Sequence, residues 1–220
     1  MATSRWERLA PLTGVVFVVL TAVGVIFTMS GSPEDFPAPT DEIVQYYNEE
    51  TDAILAGGWI GLVGGLFLIW FGASVRAHLR EAGEERTGTI AFGGAVAAAV
   101  VGFVIDGVNV MAALRADEFD EIDPQVATAM FDLANGMVGT GLPIAIATFV
   151  AATSVAAFRS RALPVWLAAL GVIVVIGLLI LPIAWMFTAV ALVWALITSV
   201  VIYMRQPAAP AVTPGGPPSG

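Results

Sequence analysis

The sequence predicts an all-α protein: a polytopic transmembrane bundle of six spans with both termini cytoplasmic. Three observations predict it. Of 220 residues, 58% are hydrophobic and only 12% charged, about half the charged share of an ordinary soluble domain, and mean hydropathy is +0.86. The apolar residues fall in blocks of roughly twenty, the helix length that crosses a bilayer's hydrocarbon core. Eight of the nine arginines fall on one side of the resulting zigzag, as expected when basic residues collect on cytoplasmic flanks.

The first span, 9–29, follows Arg5 and Arg8. A basic start before an apolar run also suits a signal peptide. This run is about twenty residues against the 7–15 of a signal core, and no A-x-A site follows it, so it is read as a retained anchor. Span two covers 54–75, span three 88–114 and span four 126–158. The last apolar block, 163–204, is about twice the spanning length. Proline lacks a backbone donor and interrupts a helix, so Leu181-Pro182-Ile183 is the natural turn, giving spans 163–181 and 184–204. Residues 1–205 thus form the membrane domain, and the Pro/Gly-rich stretch 206–220 is a disordered cytoplasmic tail.

This path puts Arg5, Arg8, Arg76, Arg80, Arg86, Arg159, Arg161 and Arg205 inside and only Arg115 outside. Acids gather on the outer face: Glu34, Asp35, Asp41, Glu42, Glu49, Glu50 and Asp52 in one loop, and five more between Asp117 and Asp123 in the next. Within the first loop, Thr40 before Asp41 and Glu42 starts an outer amphipathic helix over about 41–53. Ile43, Tyr47 and Ile54 share its face, with Tyr46, Tyr47 and Trp59 expected at the membrane interface. Asp123 before Pro124 reads as an N-cap followed by proline at the first helical position. The acidic run 117–123 lacks the central glycine and final glutamate of a calcium loop.

Composition removes whole classes of chemistry. There is no cysteine, hence no disulfide, thiol nucleophile or thiolate metal site. There is no lysine either, which excludes Schiff-base cofactors and a Walker phosphate loop. The net charge of −9 argues against nucleic acid. His78, the one histidine, has no neighbour at metal-ligand spacing. No metal and no cofactor is expected.

Polar residues inside the spans are the remaining candidates. Spans three and four each carry D-x-x-N, as Asp106-Gly-Val-Asn109 and Asp132-Leu-Ala-Asn135, with each pair along one helical face. Counting from Gly88 and Phe158 at 1.5 Å per residue, Asp106 lies about 27 Å from the inner side and Asp132 about 39 Å. Asp106 therefore falls inside a hydrocarbon core of about 30 Å, at the depth of Thr140, with Asn109 and Asn135 just beyond it. Asp132 sits at the rim, level with Arg115, and an Arg115–Asp132 ion pair is expected there. Small residues flank Asp106 on span three and line Asn135, Gly136 and Gly139 on span four, a pattern that lets helices approach closely. Asp106, Asn109, Asn135 and Thr140 thus form a candidate ligand-binding group, with interhelical hydrogen bonding as the structural alternative. Gly57, Gly61 and Gly65 form a close-packing face on span two.

Two stretches, YYNEETDAILAGGWIGLVGGLFLIWFGASVRAHLR (46–80) and RALPVWLAALGVI (161–173), resemble a broad group of uncharacterised actinobacterial six-helix integral membrane proteins. The second is marked by Leu163, Pro164, Trp166, Leu167, Leu170 and Gly171. The resemblance implies the fold and no activity.

The functional expectation is a plasma-membrane protein without enzymatic activity, an accessory or interaction component. Its partners are the bilayer and either another protein or a second copy of the chain. A small-solute or proton-linked carrier built on Asp106 is the alternative. An intramembrane enzyme is the third reading, disfavoured because it needs two catalytic groups at one depth.

Overall fold

The computed structural model describes residues 5–119 and 121–206. The tail expected from 206 onward lies, beyond Gln206, outside the described residues. Every regular element among the described residues is helical: α1 Arg5–Leu9, α2 Thr13–Thr28, α3 Thr40–Glu49, α4 Thr51–Glu81, α5 Glu85–Phe119, α6 Pro124–Gly139, α7 Gly141–Ser160, α8 Val165–Leu178 and α9 Ala184–Arg205. Five helical segments among them are long and apolar enough to cross a membrane: Glu7–Thr28, Thr51–Glu81, Glu85–Phe119, Pro124–Ser160 and Leu181–Arg205.

The sixth apolar segment is shorter than the sequence suggests. The helix α8 covers only Val165–Leu178, about 21 Å long at 1.5 Å per residue, against a core of about 30 Å. The chain leaves the helix after Leu178, and Leu181–Ile183 forms a short 3-10 turn around Pro182. Proline has no N–H to give to the preceding helix. α8 and α9 make a closed hairpin about this turn. The Trp194 indole donates to the Leu167 carbonyl at 3.0 Å, and the Arg205 guanidinium reaches the Ala162 carbonyl at 3.0 Å.

Span four is bent. α6 ends at Gly139 and α7 starts at Gly141, with Thr140 at φ −127°, ψ −69° between them. Pro143 lies in the first turn of α7, so the Gly139 carbonyl has no donor one turn on, which is a usual cause of a sharp kink.

Successive segments pack as neighbours around a ring: α2 on α4, α4 on α5, α5 on α7, α7 on α8, α8 on α9, and α9 back on α2. An edge-to-face aromatic chain fills the middle, Phe71 to Phe149 to Trp194, with centroids 5.8 and 5.9 Å apart. The first segment is built into this ring. Gly14 packs against Phe71 and Ser199, and the buried Ser199 hydroxyl donates to the Pro11 carbonyl at 2.6 Å. Outward-facing positions carry large apolar side chains, including Trp59, Trp70 and Trp185, each more than 60% exposed. An apolar belt of this extent suits lipid and not water.

The two ends differ. At the arginine end, His78 Nε2 lies 3.1 Å from the Ala162 carbonyl, and Arg159 pairs with Glu84 at 3.3 Å. His78 is thus a half-buried clamp on α4. The acidic end is closed by a second small core of Ile43, Tyr46, Tyr47, Ile54, Ala112, Ala113, Ala116, Ile122, Ala127 and Phe131.

Candidate functional site

At the acidic end, helix α3 is amphipathic in the way its sequence indicates, with Ile43 and Tyr47 fully buried. Its tyrosines are buried against the protein, Tyr46 at 5% and Tyr47 at 0% exposure. Tyr46 donates to the Thr28 carbonyl at 2.6 Å and Tyr47 to Asn109 Oδ1 at 3.0 Å. Each hydroxyl therefore ties α3 down, one to the end of α2 and the other to α5. Asn48 Oδ1 accepts from the Ile122 amide at 3.3 Å, and Asp123 caps α6 by accepting from the Gln125 and Val126 amides. Burial, and secondly the Glu50 carboxylate, push the Tyr46 hydroxyl pKa upward; burial, and secondly Tyr46, do the same for Tyr47. The acids meanwhile stay outside: Asp41, Glu42, Glu49, Asp52, Asp117, Glu118 and Glu121 are all exposed. Gly31, Pro33, Glu42, Gln45, Tyr46, Glu49 and Glu50 line a surface recess of about 290 Å³ on this cap.

The four polar residues expected to converge do not do so through hydrogen bonds. Asn109 is taken by Tyr47. Asn135 Nδ2 donates to Phe131 O at 3.0 Å and Thr140 Oγ1 to Gly136 O at 2.7 Å, each within its own helix. Asp106 faces α4. Its carboxylate lies against Gly61, where an added Cβ would collide with Oδ2. Among the described residues, no hydrogen bond or ion pair engages that carboxyl.

The tight contact of α5 is also different from the expected one with span four. An added Cβ at Gly102, Gly136 or Gly139 would meet nothing within 4 Å. Close approach occurs instead between α4 and α5, where Gly58, Gly61 and Gly65 accept Val110, Asp106 and Phe103. Phe103, Asp106 and Val110 are spaced i, i+3, i+7, one face of a helix. Gly57 belongs to the adjoining flank of α4, where an added Cβ would stand 2.7 Å from the Gly24 carbonyl of α2. The three glycines of span two thus serve two different interfaces within one chain.

The expected rim pair Arg115–Asp132 is not formed. Both side chains are exposed, and the Arg115 guanidinium lies 5.6 Å from the centroid of the Phe119 ring, one turn further on. An exposed ion pair gains little over solvation, whereas the ring is already held at helical spacing. Among the described residues, no group of three or more His, Asp or Glu is placed to hold a metal ion.

Sequence reasoning missed Tyr46 and Tyr47 as core anchors. The available signal was Tyr47 in register with Ile43 and Ile54. A phenol there needs a polar partner once buried, and Asn109 supplies it.

Over residues 12–211 the chain matches the family described as Domain of unknown function (DUF4386), and it belongs to that family. No curated protein and no solved structure matches it.

Proposed function

We propose that this member of the DUF4386 family is a six-span protein of the plasma membrane with both termini cytoplasmic. In this reading it acts without catalysis, as an accessory component that meets a partner through its outer face. The observation that carries the reading is the cap. The acids stand on a helix anchored by two buried tyrosine hydroxyls, at the end of the bundle opposite the arginines. A pre-ordered acidic surface can steer and hold a basic partner without an ordering cost. Six spans are supported by the α8–α9 hairpin, since Arg205 returns to Ala162 at the end where α8 begins. An even number of crossings puts both arginine-flanked termini on the cytoplasmic side.

The test has two parts. Tags at either end should be reached by protease or label only from the cytoplasmic side. Purification in mild detergent at low salt should retain a stoichiometric partner that high salt, or lysine at Asp41, Glu42 and Glu49, releases. A monomeric chain with no partner under those conditions overturns the accessory role, and termini on opposite sides overturn the topology.

One observation favours a second reading, a proton-linked or small-cation carrier. Asp106 is a half-buried acid within span three, and among the described residues no hydrogen bond engages its carboxyl. Intramembrane acids mark ion pathways in many transporters. The recess on the cap lined by Glu42, Gln45 and Tyr46 does not include it, and the anchored acidic cap keeps the first reading ahead. Asp106→Asn keeps the shape at Gly61. If it folds normally but abolishes a proton or cation flux measured in proteoliposomes, the carrier replaces the accessory role.

A further inference from the structure

At the arginine end, α4 and α5 leave a recess of about 140 Å³ lined by Ala73, Arg76, Ala77, Arg80 and Phe92. Sequence spacing makes it. Arg76 and Arg80 stand four residues apart, as do Ala73 and Ala77, so each pair runs along one side of α4. The alanines keep the floor shallow and apolar. Phe92 forms the wall from α5, and the Arg76 guanidinium lies 5.9 Å from its ring centroid, within cation–π range.

Among the described residues, no acid pairs with Arg76 or Arg80. The nearby Glu84 is taken by Arg159 in an ion pair, and it also accepts from Thr87. Glu81 and Glu85 are exposed and pair with neither arginine. Away from the arginines, the same side of α4 continues to Trp70, three residues before Ala73 and 61% exposed. Two cations at the membrane edge, then small apolar positions, then an outward indole follow the order of a phospholipid from phosphate to acyl chain. A small soluble anion would use only the first part of that strip.

We propose that this recess binds the phosphate headgroup of an anionic phospholipid, with an acyl chain lying along Ala77, Ala73 and Trp70. Basic pockets between helices at the cytoplasmic surface are suited to such headgroups. The proposal rests on the membrane reading given above and extends it to a specific lipid contact.

The test uses the full chain in mild detergent, with phosphatidylglycerol or phosphatidylcholine added, and native mass spectrometry to count retained lipid. Phosphatidylglycerol should be retained in preference. Arg76→Gln with Arg80→Gln should weaken it about twenty-fivefold at low salt, taking roughly fivefold for each arginine near an anionic surface. Ala77→Trp keeps both charges but fills the recess, and should displace the lipid while circular dichroism and elution match the parent chain. If the arginine variant fails to fold, Ala77→Trp decides alone. Equal retention of the two lipids, or undiminished phosphatidylglycerol on a folded variant, overturns the proposal. So does competition by inorganic phosphate at equal concentration, which would make the recess a soluble-anion site. A chain that stays monomeric in water without detergent would instead sink the membrane reading, an outcome separate from failed lipid discrimination.

Discussion

The Tyr47 hydroxyl donates to Asn109 Oδ1 across 3.0 Å, joining α3 to α5 through residues 62 positions apart. Both partners are polar groups withdrawn from water, so each depends on the other. Removing one leaves the other with an unmet desolvation cost of about 1–3 kcal/mol.

Tyr47→Phe should therefore destabilise the cap by about 1 kcal/mol or somewhat more while leaving the ring of spans assembled. Hydrogen exchange would show it as faster opening confined to α3 and the start of α4. Uniform acceleration across α5, α7 and α9 would mean that the cap and the bundle unfold as one unit.

High pH should loosen the same element. Tyr46 and Tyr47 have folded pKa values raised by burial above the ordinary value of about 10. The folded form therefore holds protons that the unfolded form releases above that pH. Their contribution is complete below about pH 10 and falls as pH rises beyond it. Tyrosinate absorbance on alkaline titration should lag for Tyr46 and Tyr47, then appear together with loss of α3. Titration of these two at the ordinary value would contradict the burial described here.

Glycine position should decide tolerance to a methyl group. Gly61→Ala puts Cβ into the Asp106 carboxyl, and overpacking of this kind costs about 1–3 kcal/mol. Gly102→Ala meets open space and should be neutral or stabilising by up to about 1 kcal/mol, the helix-propensity gain. Thermal unfolding in detergent separates the two. Equal effects would show that the α4–α5 approach is looser than described.

Trp194→Ala should be severe. The ring is 1% exposed, meets Phe149 edge-to-face, and satisfies the Leu167 carbonyl. Truncation of such a side chain costs about 3–5 kcal/mol. Trp194→Phe should recover most of the packing and isolate the smaller hydrogen-bond loss. If both variants unfold at the parent temperature, the centre of the ring is not the stabilising core.

Asp123 and Pro124 show what was legible locally. An N-cap oxygen and a fixed φ act within four residues, and α6 starts at Pro124 with Asp123 capping it. Pro182 was equally readable, because loss of an N–H interrupts a helix whatever surrounds it. Asp106 shows the opposite. Helical periodicity gave its face but not the identity of the neighbouring helix, and the glycine its carboxylate packs against lies 45 residues earlier, at Gly61. Arg115 likewise offered a partner at matching depth, yet depth fixes height along the bundle and says nothing of azimuth.

The sequence by itself determined the solvent, the helical segments and the separation of arginines from acids. Those follow from residue chemistry summed over stretches of about twenty residues. Only the tertiary structure decided that Asp106 meets Gly61 and not Asn135, that Tyr46 and Tyr47 are anchors, and that α8 stops short. Each of these depends on which helix stands next to which, and at what rotation. That choice is made by the fit of small residues against large ones across the whole ring, which no single segment encodes.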